Sequence, residues 1–259
     1  MRGNLNNVLN LVTGLMHDTC VGKQFSLMFY IVDDVAATGG GITQTNINNA
    51  VTLLNDAFSR ICIKFVTCSL KVIPNHTFNT WRAVTTESMV INNFYMPNTI
   101  NIYLADNVLY DQPGSNLPSY TYFPGSNPKN IIVLAKNVLT STSMSTRTNI
   151  LHEMGHFFGL PNTYDEIGNP VSPGPVPPIK TYEYVDRSNC YPNGDGFCDT
   201  EADNFVANPP PPSTKDGKGE FYVAPLDNYM SSYGTRCRYS QEQYNFMARL
   251  IVNKMLFLN

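Results

Sequence analysis

Residues 150–162 read ILHEMGHFFGLPN, and few local conformations suit them. His152 and His156 are four apart, so a helix puts both imidazoles on one face, a turn apart. Ile150, Met154 and Phe157 then face the other way, toward a core. Three residues past His156, Gly159 is free to take a positive φ and end the helix in a sharp turn. The chain can then return over the two rings with residue 162, which is an asparagine where a third histidine would complete the set. Two imidazoles on one helix face reach a single metal ion, and this spacing is the one that serves zinc. Glu153 cannot easily join them as a ligand, but it is placed to take a proton from a water that zinc has acidified and to return one to a leaving nitrogen. The plain alternative is a helix with two ordinary histidines. With only four histidines in 259 residues, a chance match to the pattern is rare.

The rest of the chain reads as an α/β unit leading into this helix. Residues 24–34 (QFSLMFYIVDD) form a mostly apolar run expected to be a buried strand. A glycine-rich loop at 37–43 follows, then a helix on which Ile47, Val51, Leu54 and Phe58 recur at helical spacing. Strands are expected at 61–73, 99–108 and 130–137, with a short aromatic piece at 119–125 stopped by Pro124 and Gly125. The Ser/Thr-rich run 139–149 offers several N-cap residues before the motif helix. After Leu160 the texture changes. Residues 161–180 and 208–219 are proline-rich and irregular, and regular structure returns only in a terminal helix over 240–258, with Tyr244, Met247, Leu250 and Ile251 on one face.

Composition narrows the class. Charged residues make up 14% of the chain, against about 25% in an average soluble domain, and Asn, Ser, Thr and Tyr supply the polarity instead. Such a surface suits an extracellular, periplasmic or cell-surface protein. The formal net charge is −3, with no basic stripe, so no nucleic-acid partner is expected. No apolar run has the length of a membrane span, and the first residues lack the order of an export signal. The six cysteines lack the two-residue gaps of a zinc ribbon or redox motif. Disulfides are expected, with about 15 pairings open if all are bridged.

Met230 lies in a polar turn, LDNYMSSYG (226–234), ahead of the terminal helix. The spacing His-Glu-x-x-His-x-x-Gly-x-x-ligand, followed by a methionine turn, resembles the metzincin metalloproteases. A thermolysin-type site would need a glutamate ligand on a following helix, whereas Glu166 and Glu183 lie in irregular chain. Within the metzincins the resemblance is closest to the pappalysin and cytophagalysin branch. It is carried by residues 49–69 (helix then strand), by YTYFPG (120–125), by the Gly-Asp-x-x-x-Asp-Thr stretch in NCYPNGDGFCDTEAD (189–203), and by DNYMSSYGTRCRYSQEQ (227–243). It covers most of residues 25–259.

The resemblance implies an α/β (α+β) metzincin-like fold. A mixed twisted sheet and the active-site helix would form an upper subdomain (1–160), and a loop-rich lower subdomain (161–259) would end in the C-terminal helix, both within one catalytic domain. It implies a secreted zinc endopeptidase with His152 and His156 as zinc ligands, Asn162 in the third ligand place, Glu153 as general base and Met230 as a thioether floor. A peptide substrate would lie extended along an edge strand near 120–124. In related proteins the Gly-Asp-x-x-x-Asp-Thr loop can bind calcium, which points to Asp195 and Thr200 with carbonyls such as those of Gly194 and Phe197. A plain Asx-turn loop tied by Cys190 or Cys198 is the alternative. A Cys198–Cys237 or Cys190–Cys237 bridge would tie that loop to the methionine turn.

Two positions depart from the family pattern. The tyrosine usually found two residues after the methionine is Ser232 here, and Tyr233 comes one later as the candidate that steadies the substrate carbonyl. At Asn162 an amide oxygen replaces imidazole, a poorer donor to zinc. Three readings stand: Asn162 ligates zinc through Oδ1, Asp165 or a water fills the place, or the protein is a catalytically impaired, metzincin-like peptide binder. A metal that only staples the fold is a further reading.

Overall fold

The apolar run near the N-terminus forms β1 (Lys23–Asp33), and its alternating side chains are buried on both faces. The structure, a computed structural model, describes residues 20–33, 41–109, 116–126, 129–165, 183–191, 193–204, 214–223 and 225–255. The expectations for the residues before 20, for most of the glycine loop and for the proline-rich stretches 166–180 and 208–213 lie outside these.

After β1 come α1 (Gln44–Phe58), β2 (Ile63–Pro74), β3 (Thr80–Arg82), α2 (Thr85–Ile91), β4 (Ile100–Ala105), β5 (Asn107–Leu109), β6 (Asn116–Leu117), β7 (Ser119–Thr121) and β8 (Ile131–Ala135). Short helices α3 (Asn137–Thr140) and α4 (Met144–Arg147) lead into the motif helix α5 (Asn149–Phe157), and α6 (Gln241–Lys254) closes the chain. The main sheet has the order β2-β1-β4-β8-β7. Its first four strands are parallel, and β7 runs antiparallel to β8 at the edge. A small second sheet, β3-β5-β6, was not legible in the sequence.

A mostly parallel sheet is covered on both faces, so its strands alternate between two cores rather than between core and water. On one face Phe25, Leu27 and Phe29 of β1 pack against α1, α5 and α6. Phe58, Phe65 and Phe158 meet there ring to ring at 5.3–6.3 Å. On the other face Met28, Tyr30 and Val32 pack with Trp81, Val90 and Tyr103. The first core also takes in Phe197, Tyr229, Met230, Tyr239 and the buried face of α6. The loop-rich C-terminal third is therefore sewn into the same apolar cluster as the sheet.

The two long helices start where side-chain caps allow. Thr43 and Asn46 form a reciprocal capping box on α1, and Ser240 and Gln243 form one on α6, each satisfying backbone donors that the first turn leaves open. Helix α5 differs from expectation. No Ser or Thr side chain caps it; α4 runs almost directly into it, and the Thr148 hydroxyl turns back to the Ser145 carbonyl.

The disulfides also differ from expectation. Cys190 pairs with Cys198 across an eight-residue separation, Cys20 pairs with Cys62, and Cys68 and Cys237 are free and exposed. Closing the short 190–198 loop demands little chain entropy. The tie from this loop to α6 is polar instead. The Glu242 backbone N–H donates to Asp199 at 2.8 Å, and the Cys198 N–H donates to the Glu242 carboxylate at 2.7 Å.

Candidate active site

The position of α5 is set by its apolar side: Ile150, Leu151, Met154 and Phe157 lie in the first core. The Tyr239 hydroxyl fixes it further by donating to the Leu151 carbonyl at 2.6 Å. The helix ends as its sequence demands. Gly159 takes φ +89°, and the N–H groups of Gly159 and Leu160 return to the carbonyls of His156 and Gly155, each at 2.9 Å. The reversal brings Asn162 alongside the helix, where it lines one cleft with His152, Glu153 and His156.

Both imidazoles are held from behind by backbone carbonyls. His152 Nδ1 lies 2.8 Å from the Tyr229 carbonyl, and His156 Nδ1 lies 2.6 Å from that of Leu160. A carbonyl only accepts, so each Nδ1 carries the proton and each Nε2 presents a lone pair. The two Nε2 atoms face one another at 3.0 Å. Burial keeps both rings uncharged, holding His152 well below the usual imidazole range and His156 down to about 4. Two lone pairs at that separation repel, and a cation shared between them removes the repulsion.

Asn162 adds a third donor. Its backbone N–H and its Nδ2 both donate to the Asp165 carboxylate, at 2.8 and 3.0 Å. That bond sets which way the amide points. Oδ1 is left on the opposite edge, beside His156, buried and without a hydrogen-bond donor. An orphaned buried carbonyl oxygen is costly unless a cation or donor meets it. Two imidazole lone pairs and this oxygen make a donor set that fits zinc with an open position. Among the described residues no trio of His, Cys, Asp or Glu is arranged to hold a metal, as follows when the third place is an amide.

Beneath the helix lies the methionine turn. Met230 is fully buried, its N–H donating to Asn228 Oδ1 at 2.8 Å and its carbonyl accepting from Thr163 at 3.2 Å. A Cβ on Gly155 would come within 2.4 Å of the Met230 sulfur. The glycine one residue before His156 therefore lets the thioether sit directly under the helix, a requirement that the sequence reading missed.

Glu153 points into the same cleft. The Ser119 hydroxyl, from edge strand β7, donates to its Oε1 at 2.7 Å. Burial pushes the Glu153 carboxyl up to about 7, with Ser119 and Arg236 acting against that rise. The cleft holds about 380 Å³ and is walled by α5 on one side and by residues 117–121 on the other. Strand β7 pairs only with β8 among the described residues, so its outer edge borders the cleft. It is anchored from behind: Tyr120 and Tyr122 donate to Glu87 of α2 at 2.7 and 2.8 Å, and Trp81 donates to the Tyr120 hydroxyl at 2.7 Å.

Tyr233 is not brought to the cleft. It is buried, and its hydroxyl donates to Asp203 at 3.0 Å, a residue that also accepts from Thr163. Tyr164, two residues past Asn162, does line the cleft, as does Tyr120 of β7. Burial is the main reason the Tyr164 hydroxyl lies above the usual range, and Ser232 is its hydrogen-bond partner. Only the three-dimensional turn at Gly159 exposes it as a candidate.

The Gly194–Thr200 loop lies away from the cleft. Asp195 is fully buried and accepts from the Phe197 N–H at 2.9 Å, and its two oxygens lie 3.0 and 3.1 Å from the Thr200 hydroxyl. The loop thus closes on itself as an Asx turn. Glu183 packs onto Gly194 with both carboxylate oxygens buried and unpaired, and burial pushes it up to about 8.

The architecture is thus a mixed α/β fold with a mostly parallel sheet. Comparison with solved structures finds this fold in known proteins. The chain is similar to mirolysin in complex with a small compound (TM-score 0.59, 13% identity, 88% of this chain and 92% of that one). It is also similar to a promirolysin variant from Tannerella forsythia (TM-score 0.62, 14% identity, 96% and 86%). The mature T. forsythia mirolysin in complex with a cleaved peptide matches with TM-score 0.54 at 14% identity, over 91% and 98%. No protein-family model and no curated protein matches the chain. At these identities the likeness carries the fold alone.

Proposed function

We propose that the protein is an exported zinc-dependent endopeptidase of the pappalysin and cytophagalysin branch. The observation that carries this reading is the pair of unprotonated Nε2 atoms 3.0 Å apart in one cleft with Glu153. His152, His156 and Asn162 Oδ1 would hold the zinc, with Met230 as the floor beneath it. Zinc in that place supplies a Lewis acid that polarises a peptide carbonyl. Glu153 takes the proton of the attacking water and passes one to the leaving nitrogen, its carboxylate oriented by Ser119. The substrate lies extended against the outer edge of β7 and adds a strand by backbone hydrogen bonds. A cleaved peptide in the mirolysin complex is in keeping with this mode. Tyr164, rather than Tyr233, is the tyrosine of the lower chain that lines the cleft beside Asn162. Residues 1–160 and 161–259 are read as upper and lower subdomains of one catalytic domain. The two disulfides accord with an oxidising compartment, and no described helix is long and apolar enough to cross a membrane.

Purified protein is expected to contain about one zinc per chain, by analogy with single-site zinc peptidases, and to lose protein hydrolysis on chelation. Metal analysis beside a casein-type assay checks this. Tight peptide binding with no turnover at saturating zinc would instead favour a silent peptide binder, the reading that Asn162 keeps open.

Calcium at the Gly194–Thr200 loop is a separate proposal, resting on the unpaired Glu183 carboxylate beside it. Calcium is expected to raise the melting temperature by several degrees relative to EGTA, since ligand binding to the folded state stabilises it. An unchanged melt rules the site out.

A further inference from the structure

Arg236 is the charged residue in the cleft that the proposed chemistry leaves unused. It comes six residues after Met230, is 9% exposed and lines the cleft beside Asn149, Ser231 and Tyr164. Its guanidinium holds three elements together. Nη2 donates to the Ser145 carbonyl at 2.8 Å and to Asn149 Oδ1 at 2.6 Å, and Nη1 reaches the Ser231 carbonyl at 3.5 Å. All three acceptors are neutral. Nε is buried with no acceptor at all, and among the described residues Arg236 forms no ion pair. The carboxylate that acts on it most is Glu153, which the reaction needs for itself.

A buried cation without an anion is costly, and one whose donors are only partly used is an incomplete site. A structural tie between carbonyls does not need a full charge, and a neutral amide would serve. Both N–H groups of Nη2 are used and Nε is enclosed, so the second N–H of Nη1 and the uncompensated charge are what remain for a ligand, and a carboxylate oxygen is the acceptor that answers both. We propose that Arg236 is a specificity-determining residue that binds a carboxylate of the peptide substrate at a fixed position beside the scissile bond. The carboxylate is either an Asp or Glu side chain or a free C-terminus. This deepens the peptidase reading and rests on it for the word substrate.

The test uses the full chain and one set of labelled peptides of a single sequence. One position carries Asp, Glu, Asn, Gln or Lys, and each peptide is made with a free and with an amidated C-terminus. Cleavage by the unaltered protein is followed by mass spectrometry. Binding to Glu153→Gln is followed by fluorescence anisotropy. Acidic peptides are expected to exceed their amide counterparts by about 10- to 100-fold, the factor that a charge-assisted hydrogen bond corresponds to. Dependence on the internal Asp or Glu identifies a side-chain subsite, and dependence on the free C-terminus identifies a terminal one. Arg236→Gln is expected to bring the acid-to-amide ratio close to one, and Arg236→Lys to restore part of it. If Arg236→Gln does not fold, the ratio in the unaltered protein decides alone. Cleavage that ignores the charge overturns this inference and leaves the peptidase reading intact. Acid-selective binding without cleavage leaves the inference and removes that reading. An unchanged ratio in Arg236→Gln, with all peptides weakened equally, reduces Arg236 to a structural tie.

Discussion

Glu153→Gln is expected to lower peptide hydrolysis by about 10²- to 10⁴-fold, the usual contribution of a positioned general base, while zinc content stays at the level of the unaltered protein. The substitution is close to silent for the fold. Glutamine keeps a carbonyl oxygen to accept from Ser119, as Oε1 does at 2.7 Å, and burial already disfavours the charged carboxylate. What disappears is the ability to take a proton. The measurement is kcat/KM on a quenched peptide beside metal content by mass spectrometry. Full activity with zinc bound would sink the mechanism, because the cleft offers no other carboxylate among its lining residues.

The second large effect is expected at Asn162. Asn162→His should tighten zinc on the order of 100-fold, as imidazole replaces a neutral amide oxygen in a nitrogen-rich set. The surroundings are prepared for it. Asp165 now accepts from the Asn162 side chain at 3.0 Å, and the same carboxylate would take the ring N–H of a histidine, leaving the other nitrogen on the side of His156. Such carboxylate–histidine pairs orient and strengthen a metal ligand. Competition titration with a chromogenic chelator reads the change directly. An affinity that does not move would mean that residue 162 does not face the metal.

These two experiments separate what the helix motif states from what surrounds it. The strands β1, β2, β4 and β8 and the helices α1, α5 and α6 were legible because each carries a long apolar run or a clear helical period. Strand β3 and helix α2 were not, since three and seven residues give too few repeats to read. Yet they carry Trp81 and Glu87, which anchor the edge strand bordering the cleft. The cysteine pairing was equally illegible, because positions along the chain do not say which cysteines the fold brings together.

Asn162 and Tyr233 show the same division within the site. The sequence by itself placed His152, Glu153 and His156 on one helix and turned the chain at Gly159, because covalent geometry governs relations within a few residues. Only the tertiary structure decided that backbone carbonyls of Tyr229 and Leu160 leave both Nε2 atoms bare, and that Asp165 turns the Asn162 amide oxygen inward. It also decided that Asp203 draws Tyr233 away from the cleft while Arg236 enters it. Each of those outcomes joins residues far apart in the chain or depends on how a loop packs. They are fixed by burial and by hydrogen-bond satisfaction, which no local pattern of residues records.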